Sequence, residues 1–160
     1  MSQQIPVADF VDNLMVLWEE TLGIPAKPEE TTWYLDRNAG WAASLAGVSA
    51  AAASRPIVAG GTSIAAQTAH AAYYLERFEA IVADRREPSD WPASFRPAEV
   101  DEEAWTRSKE RLFAAAERVG RLLRGNPHWE REHLGGAMAN LVHLAYHLGA
   151  VRQMLRVAKG

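Results

Sequence analysis

The chain has 160 residues, 48% of them hydrophobic and 23% charged, which is enough for one domain with its own core and is the balance of a globular rather than a disordered protein. Lys and Arg number 17 against 20 Asp and Glu, and with a small acidic excess and no local basic patch, nucleic acid is excluded as a partner. Cysteine is absent, which excludes disulfides, thiolate metal sites and a protein-borne sulfur nucleophile together, so any thiol chemistry has to use an external thiol.

The N-terminal stretch from Met1 to Pro6 lacks a cationic segment followed by an apolar one. No apolar run approaches the ~20 residues of a membrane span, so a cytoplasmic protein without a membrane partner is expected. From Val7 to Leu22, Phe10, Leu14 and Leu17 alternate with Val11, Met15 and Trp18 at helical steps, which predicts an N-terminal helix ended by Gly23, Pro25 and Pro28. Pro28 followed by Glu29 and Glu30 makes a favourable first turn for a second helix running to about Gly47, with Trp33, Ala42 and Leu45 on its apolar side. Val48 to Gly61, with Pro56 and the Gly60-Gly61 pair, reads as a connection containing a short Ala-rich turn.

Thr62 or Ser63 then caps a helix extending to about Ala83, whose many Ala residues suit close helix contact. Pro88, Pro92 and Pro97 prevent helix between Asp84 and Val100, while Trp91 and Phe95 can pack aromatics over a bundle, so an ordered crossover is predicted. Asp101, Glu102 and Glu103 open a strongly periodic helix through Trp105, Leu112, Ala116, Val119 and Leu123, stopped by Gly125-Asn126-Pro127. The last helix runs from about Glu132 to Val157, and no stretch alternates as a half-buried strand would. The expected class is therefore all-α: a single domain over residues 1–160, built as an up-down four-helix bundle with an additional N-terminal helix.

The last helix contains His143-Leu-Ala-Tyr-His147. A spacing of four turns the chain by ~400°, leaving both rings on one face within reach of one ion. A third ligand must come from another helix, and His70 is the candidate because it lies midway along a helix of Ala, Tyr and Leu. Gly136, Asn140, Ala150 and Met154 project to the same side as the His pair, so two polar rings would be buried among mostly apolar neighbours. That is costly unless hydrogen bonds or a metal take their lone pairs. A hydrogen-bonded core histidine is the plainer reading of each ring alone. His128 and His133, beside Pro127 and at the start of the last helix, are expected to ligate nothing. Glu130-Arg-Glu-His133 matches the Glu-x-x-His spacing of di-iron bundles, but the required second copy is missing. Leu144 stands where a His-Glu-x-x-His protease would have its Glu.

Ser63-Ile64 leading to His70 in one helix, with His143-x-x-x-His147-x-Gly149 near the C-terminus, resembles the DinB/YfiT-like metal-dependent helix bundles over roughly residues 29–157. The resemblance implies a four-helix bundle, often a homodimer, with zinc or nickel on three histidines matching His70, His143 and His147. It also implies use of a low-molecular-weight thiol such as bacillithiol or mycothiol in S-transfer or isomerisation. The family motif often continues Gly-Gln where this chain has Gly149-Ala150, so a polar contact to substrate is expected to be absent.

At the open position of a three-histidine site, an external thiol would be held as thiolate for attack on an electrophile. A hydrolase activating water in the same place is the alternative enzyme, and a non-catalytic bundle in which the metal staples helices is the alternative from another class. Tyr74 and Asn140 project toward the histidine face, with a packed ring and a structural amide as their plainer roles. The last helix is also apolar at Leu141, Ala145 and Leu148, away from the histidines, so either the N-terminal helix or a second subunit must cover it.

Overall fold

The computed structural model describes residues 5–24, 32–85, 88–126 and 129–159, and among them there are six α-helices and no strand. Helix α1, Val7–Leu22, buries Val11, Leu14, Met15, Trp18 and Leu22 along one face, as its periodicity predicts. It ends at Gly23, whose left-handed φ of 74° lets its N–H return to the Glu19 carbonyl at 2.9 Å, a turn that costs a residue with a Cβ strain. Pro25 and Pro28, also predicted to end it, lie outside the described residues.

The predicted helix from Glu29 to Gly47 is the main correction. Glu29 and Glu30 lie outside the described residues, and helix reappears only as the single turn α2, Trp41–Leu45. Ahead of it, the Glu20 carboxylate on α1 accepts the backbone N–H groups of Trp33, Tyr34 and Leu35 at 2.9 to 3.1 Å. Asn38 then turns left-handed with φ of 57°, so the segment is held as a bend by a tertiary carboxylate that local periodicity cannot reveal. Gly40 follows in contact with the end of α1; a Cβ there would stand 2.5 Å from the Gly23 nitrogen. Trp33, expected on the apolar side, is 67% exposed, and Ala42 is exposed too, whereas Leu45 is buried. Trp41 takes the inward place, with its indole N–H donated to the Leu144 carbonyl at 3.2 Å.

A second short turn, α3 over Ala50–Ser54, occupies the predicted connection, and Glu102 caps it by accepting the Ala50 N–H at 2.8 Å. Helix α4, Ile64–Val82, starts as predicted. The Ser63 hydroxyl accepts the Ala66 N–H and donates to the Ala98 carbonyl at 2.6 Å, tying the cap to the crossover. In the crossover a 3-10 turn spans Ala93–Phe95. Helix α5, Glu102–Gly125, is capped by Asp101 and buries Trp105, Leu112, Ala116, Val119 and Leu123; Pro127, expected to stop it, lies outside the described residues. Helix α6 runs Arg131–Lys159.

Helices α1 and α4 each contact both α5 and α6 around one core. Ala65, Ala69 and Ala72 on α4 are buried, and these small side chains let α5 and α6 approach on either side. Gly136 serves the same end, since a Cβ there would stand 2.5 Å from Phe78 Cε2. Arg111 bridges from α5 to Glu76 on α4 with two hydrogen bonds, and Arg118 reaches Glu79. As half-exposed ion pairs these specify register more than they stabilise.

Around α6 the coverage is uneven. Leu148 is buried, Leu141 and Ala145 are half-buried, and α1 packs on this helix. Met138, Val142 and Tyr146 nevertheless remain exposed along a further side. Among the described residues no helix is long and apolar enough to cross a membrane.

Candidate metal centre

Three elements supply the histidine cluster. Helix α4 contributes His70 two turns beyond its cap, α6 contributes His143 and His147 one turn apart, and the crossover lays Trp91, Ser94 and Phe95 against the His70 ring. The ring centroids of His70, His143 and His147 are 4.4 to 5.0 Å apart. One donor nitrogen from each lies within 4.8 Å of the others, an arrangement that could hold a metal ion. The sequence-predicted trio is therefore brought together from two helices. A tetrahedral ion at ~2.0 to 2.1 Å from each nitrogen sets the nitrogens about 3.3 Å apart.

Hydrogen bonds assign the tautomers. Ser94 donates its only hydroxyl proton to the Trp91 carbonyl, so it must accept from His70 Nδ1 at 2.6 Å. Gln67 donates through Nε2 to Thr62 Oγ1 at 2.6 Å, which turns its amide oxygen to His147, and that oxygen accepts from His147 Nδ1. Both rings thus carry a proton on Nδ1, and with burial lowering both groups the neutral form leaves the lone pair on Nε2. His143 Nε2 is buried and has no hydrogen-bond partner. An orphaned buried lone pair costs about 1 to 3 kcal/mol, and a metal ion shared with the other two Nε2 atoms would remove that cost. The residues present fit such an ion.

Electrostatics agree with neutral ligands. Burial pushes His143 down to about 4, helped by His70, and pushes His147 down to about 3, helped by His143 and His70; burial also lowers His70. No carboxylate or cationic side chain is among the causes of these shifts. Aromatic rings take the flanks instead. Phe95 stacks on His70 with centroids 3.9 Å apart and Tyr74 stacks on His143 at 3.7 Å.

The other sequence candidates separate clearly. Tyr74 is in contact with the cluster, as a stacked ring. Asn140 is 1% exposed and donates to the Gly136 carbonyl at 2.8 Å, while its Oδ1 is buried without a partner. His133 stands outside the cluster found among the described residues, and His128 lies outside those residues. Gln67, Ser94 and Phe95 were not legible as site residues. The one local signal was a Gln inside an Ala-rich buried run three residues before His70. Comparison of the chain with protein-family models, with curated proteins and with solved structures found no match.

Proposed function

We propose that this chain is a DinB/YfiT-like up-down four-helix bundle that binds one divalent ion, zinc or nickel, through Nε2 of His70, His143 and His147, and that it works as a thiol-dependent transferase. The observation that carries the reading is the convergence of three neutral imidazoles, two with their lone pairs assigned to Nε2 and the third with its Nε2 buried and unpaired. A divalent ion on three histidines supplies Lewis acidity at a fourth, open position, where an added thiol ionises near neutral pH.

The protein's own part is to hold and to shield. Gln67 and Ser94 orient two rings, while Phe95 and Tyr74 cover two ring faces and keep water from them. An ion held this way would lower the pKa of a bound thiol or a bound water alike, and the thiol reading follows the family resemblance. The chain has no cysteine, so the thiol comes from outside.

The test is elemental analysis of the purified protein followed by cobalt substitution. One equivalent of metal, lost in His143→Ala, and a cobalt spectrum that changes on adding a small thiol, support the reading. Cobalt that binds but is blind to thiol leaves only a structural staple. A homodimer belongs to the same reading, supported by the uncharged exposed stripe of Met138, Val142 and Tyr146 on α6. Sedimentation should show a dimer that Val142→Glu converts to monomer, and a monomeric parent protein removes the idea.

A further inference from the structure

His143 is half-buried whereas His70 and His147 are 6% and 4% exposed, so the cluster meets solvent on the His143 side. What stands there is aromatic. Tyr74 stacks on His143, and Trp91 lies 5.9 Å from Tyr74, 5.5 Å from Tyr73 and 6.2 Å from His70. Trp91 is 43% exposed. Its position is built rather than incidental. Tyr73 Oη accepts the Asp90 N–H at 3.0 Å, Asp90 accepts the Ala93 N–H at 2.9 Å, and Ser94 binds the Trp91 carbonyl, so the crossover is pinned on both sides of the indole. The Trp91, Tyr73 and Tyr74 rings thus form a continuous surface from solvent to the imidazoles.

Guanidinium groups gather elsewhere. Arg77, Arg85 and Arg118 line a cleft of about 460 Å³ along α4 together with Glu76, Glu79 and Tyr73, and Arg118 is paired with Glu79 there. That cleft carries charge of both signs, whereas the surface at Trp91 would suit a flat apolar body.

We infer that the thiol or electrophile brought to the three histidines carries a flat, uncharged, aromatic body next to its reacting atom, and that Trp91 and Tyr74 are the residues that select it. The inference rests on the proposed metal-binding reading and narrows its substrate class. A ligand whose donor atom reached an ion held by the three histidines would carry a ring one or two bonds away toward Tyr74 and Trp91, the rings that border His143. Ring stacking of this kind contributes a several-fold preference.

The experiment uses the cobalt-loaded full chain and follows the sulfur-to-cobalt charge-transfer band while benzyl mercaptan or 2-mercaptoethanesulfonate is added. Benzyl mercaptan is expected to bind about tenfold more tightly, with the ratio kept in Trp91→Phe and reduced to near one in Trp91→Ala. Equal affinities in the unsubstituted protein, or tighter binding of the sulfonate, overturn the inference while leaving the metal reading intact, and the second result directs attention to the arginine-lined cleft. A preference unchanged in Trp91→Ala overturns the role of the indole. If Trp91→Ala fails to hold cobalt, the ratio in the unsubstituted protein and in Trp91→Phe decides the matter. A full chain that binds no cobalt overturns the metal reading and this inference with it.

Discussion

Across the contact between α4 and α6, His147 donates its Nδ1 proton to the amide oxygen of Gln67. This bond joins the two helices that carry the histidine cluster, and it faces the His147 lone pair toward His70 and His143. The Gln67 amide is itself oriented by Thr62, so the arrangement reaches back to the start of α4.

Gln67→Leu should therefore weaken metal binding by roughly 10- to 100-fold, the usual cost of losing a hydrogen-bond partner behind a ligating histidine. Helical content should stay unchanged. Competition with a chromophoric chelator measures the affinity, and Gln67→Glu, which keeps an acceptor, should recover most of it. Equal affinity in Gln67→Leu would show that the bond does not orient the ring.

His143→Ala separates two energies. In the metal-free protein it deletes a buried Nε2 that has no partner, so stability should change little despite the lost ring contacts. In the metal-loaded protein it should abolish the stabilisation of ~4 kcal/mol expected for a ligand at a thousandfold excess over its dissociation constant. Thermal unfolding with and without zinc reads both. A zinc-induced rise in Tm that persists in the variant would place the ion elsewhere.

The pH dependence has a definite sign. His143 and His147 are held near 4 and 3 in the folded protein against an ordinary 6.5. Between those values the unfolded chain binds more protons, so the stability of the metal-free protein falls as pH is lowered from about 6.5 toward 4 and is complete above 6.5. Above these two values no proton competes for the His143 and His147 nitrogens, so zinc affinity should weaken less below pH 6.5 than it would for three ordinary imidazoles. Proton NMR of the imidazole CH resonances gives the titration midpoints directly, and values near 6.5 would refute the buried neutral trio.

Gly136→Ala tests how tightly α6 must lie on α4. The added methyl would sit 2.5 Å from Phe78 Cε2, and overpacking of this kind costs about 1 to 3 kcal/mol. Chemical denaturation should show that loss, and Phe78→Leu in the same chain should restore part of it. No loss would mean that the Phe78 ring turns aside freely.

What the amino-acid sequence determined is everything that depends on near neighbours along the chain. Helix spans follow from apolar spacing and from caps such as Ser63 and Asp101, and these need no knowledge of the rest of the molecule. The His143 and His147 pairing is equally local, because four residues of helix always set two side chains one above the other. The choice of His70 as a companion came from its buried helical setting, and convergence of the three rings required the packing of α4 on α6.

Tertiary structure decided the rest, and in each case the partner is distant in the chain. Glu20 captures backbone amides thirteen to fifteen residues on and unmakes a helix that periodicity predicts. Ser94 and Gln67 become hydrogen-bond partners of His70 and His147 across 24 and 80 residues. Trp91, one aromatic among three prolines in the sequence, acquires its place only when the crossover folds over α4. Short-range patterns encode which face of a helix is buried, but which lone pair meets which donor depends on distances that exist only once the helices have packed.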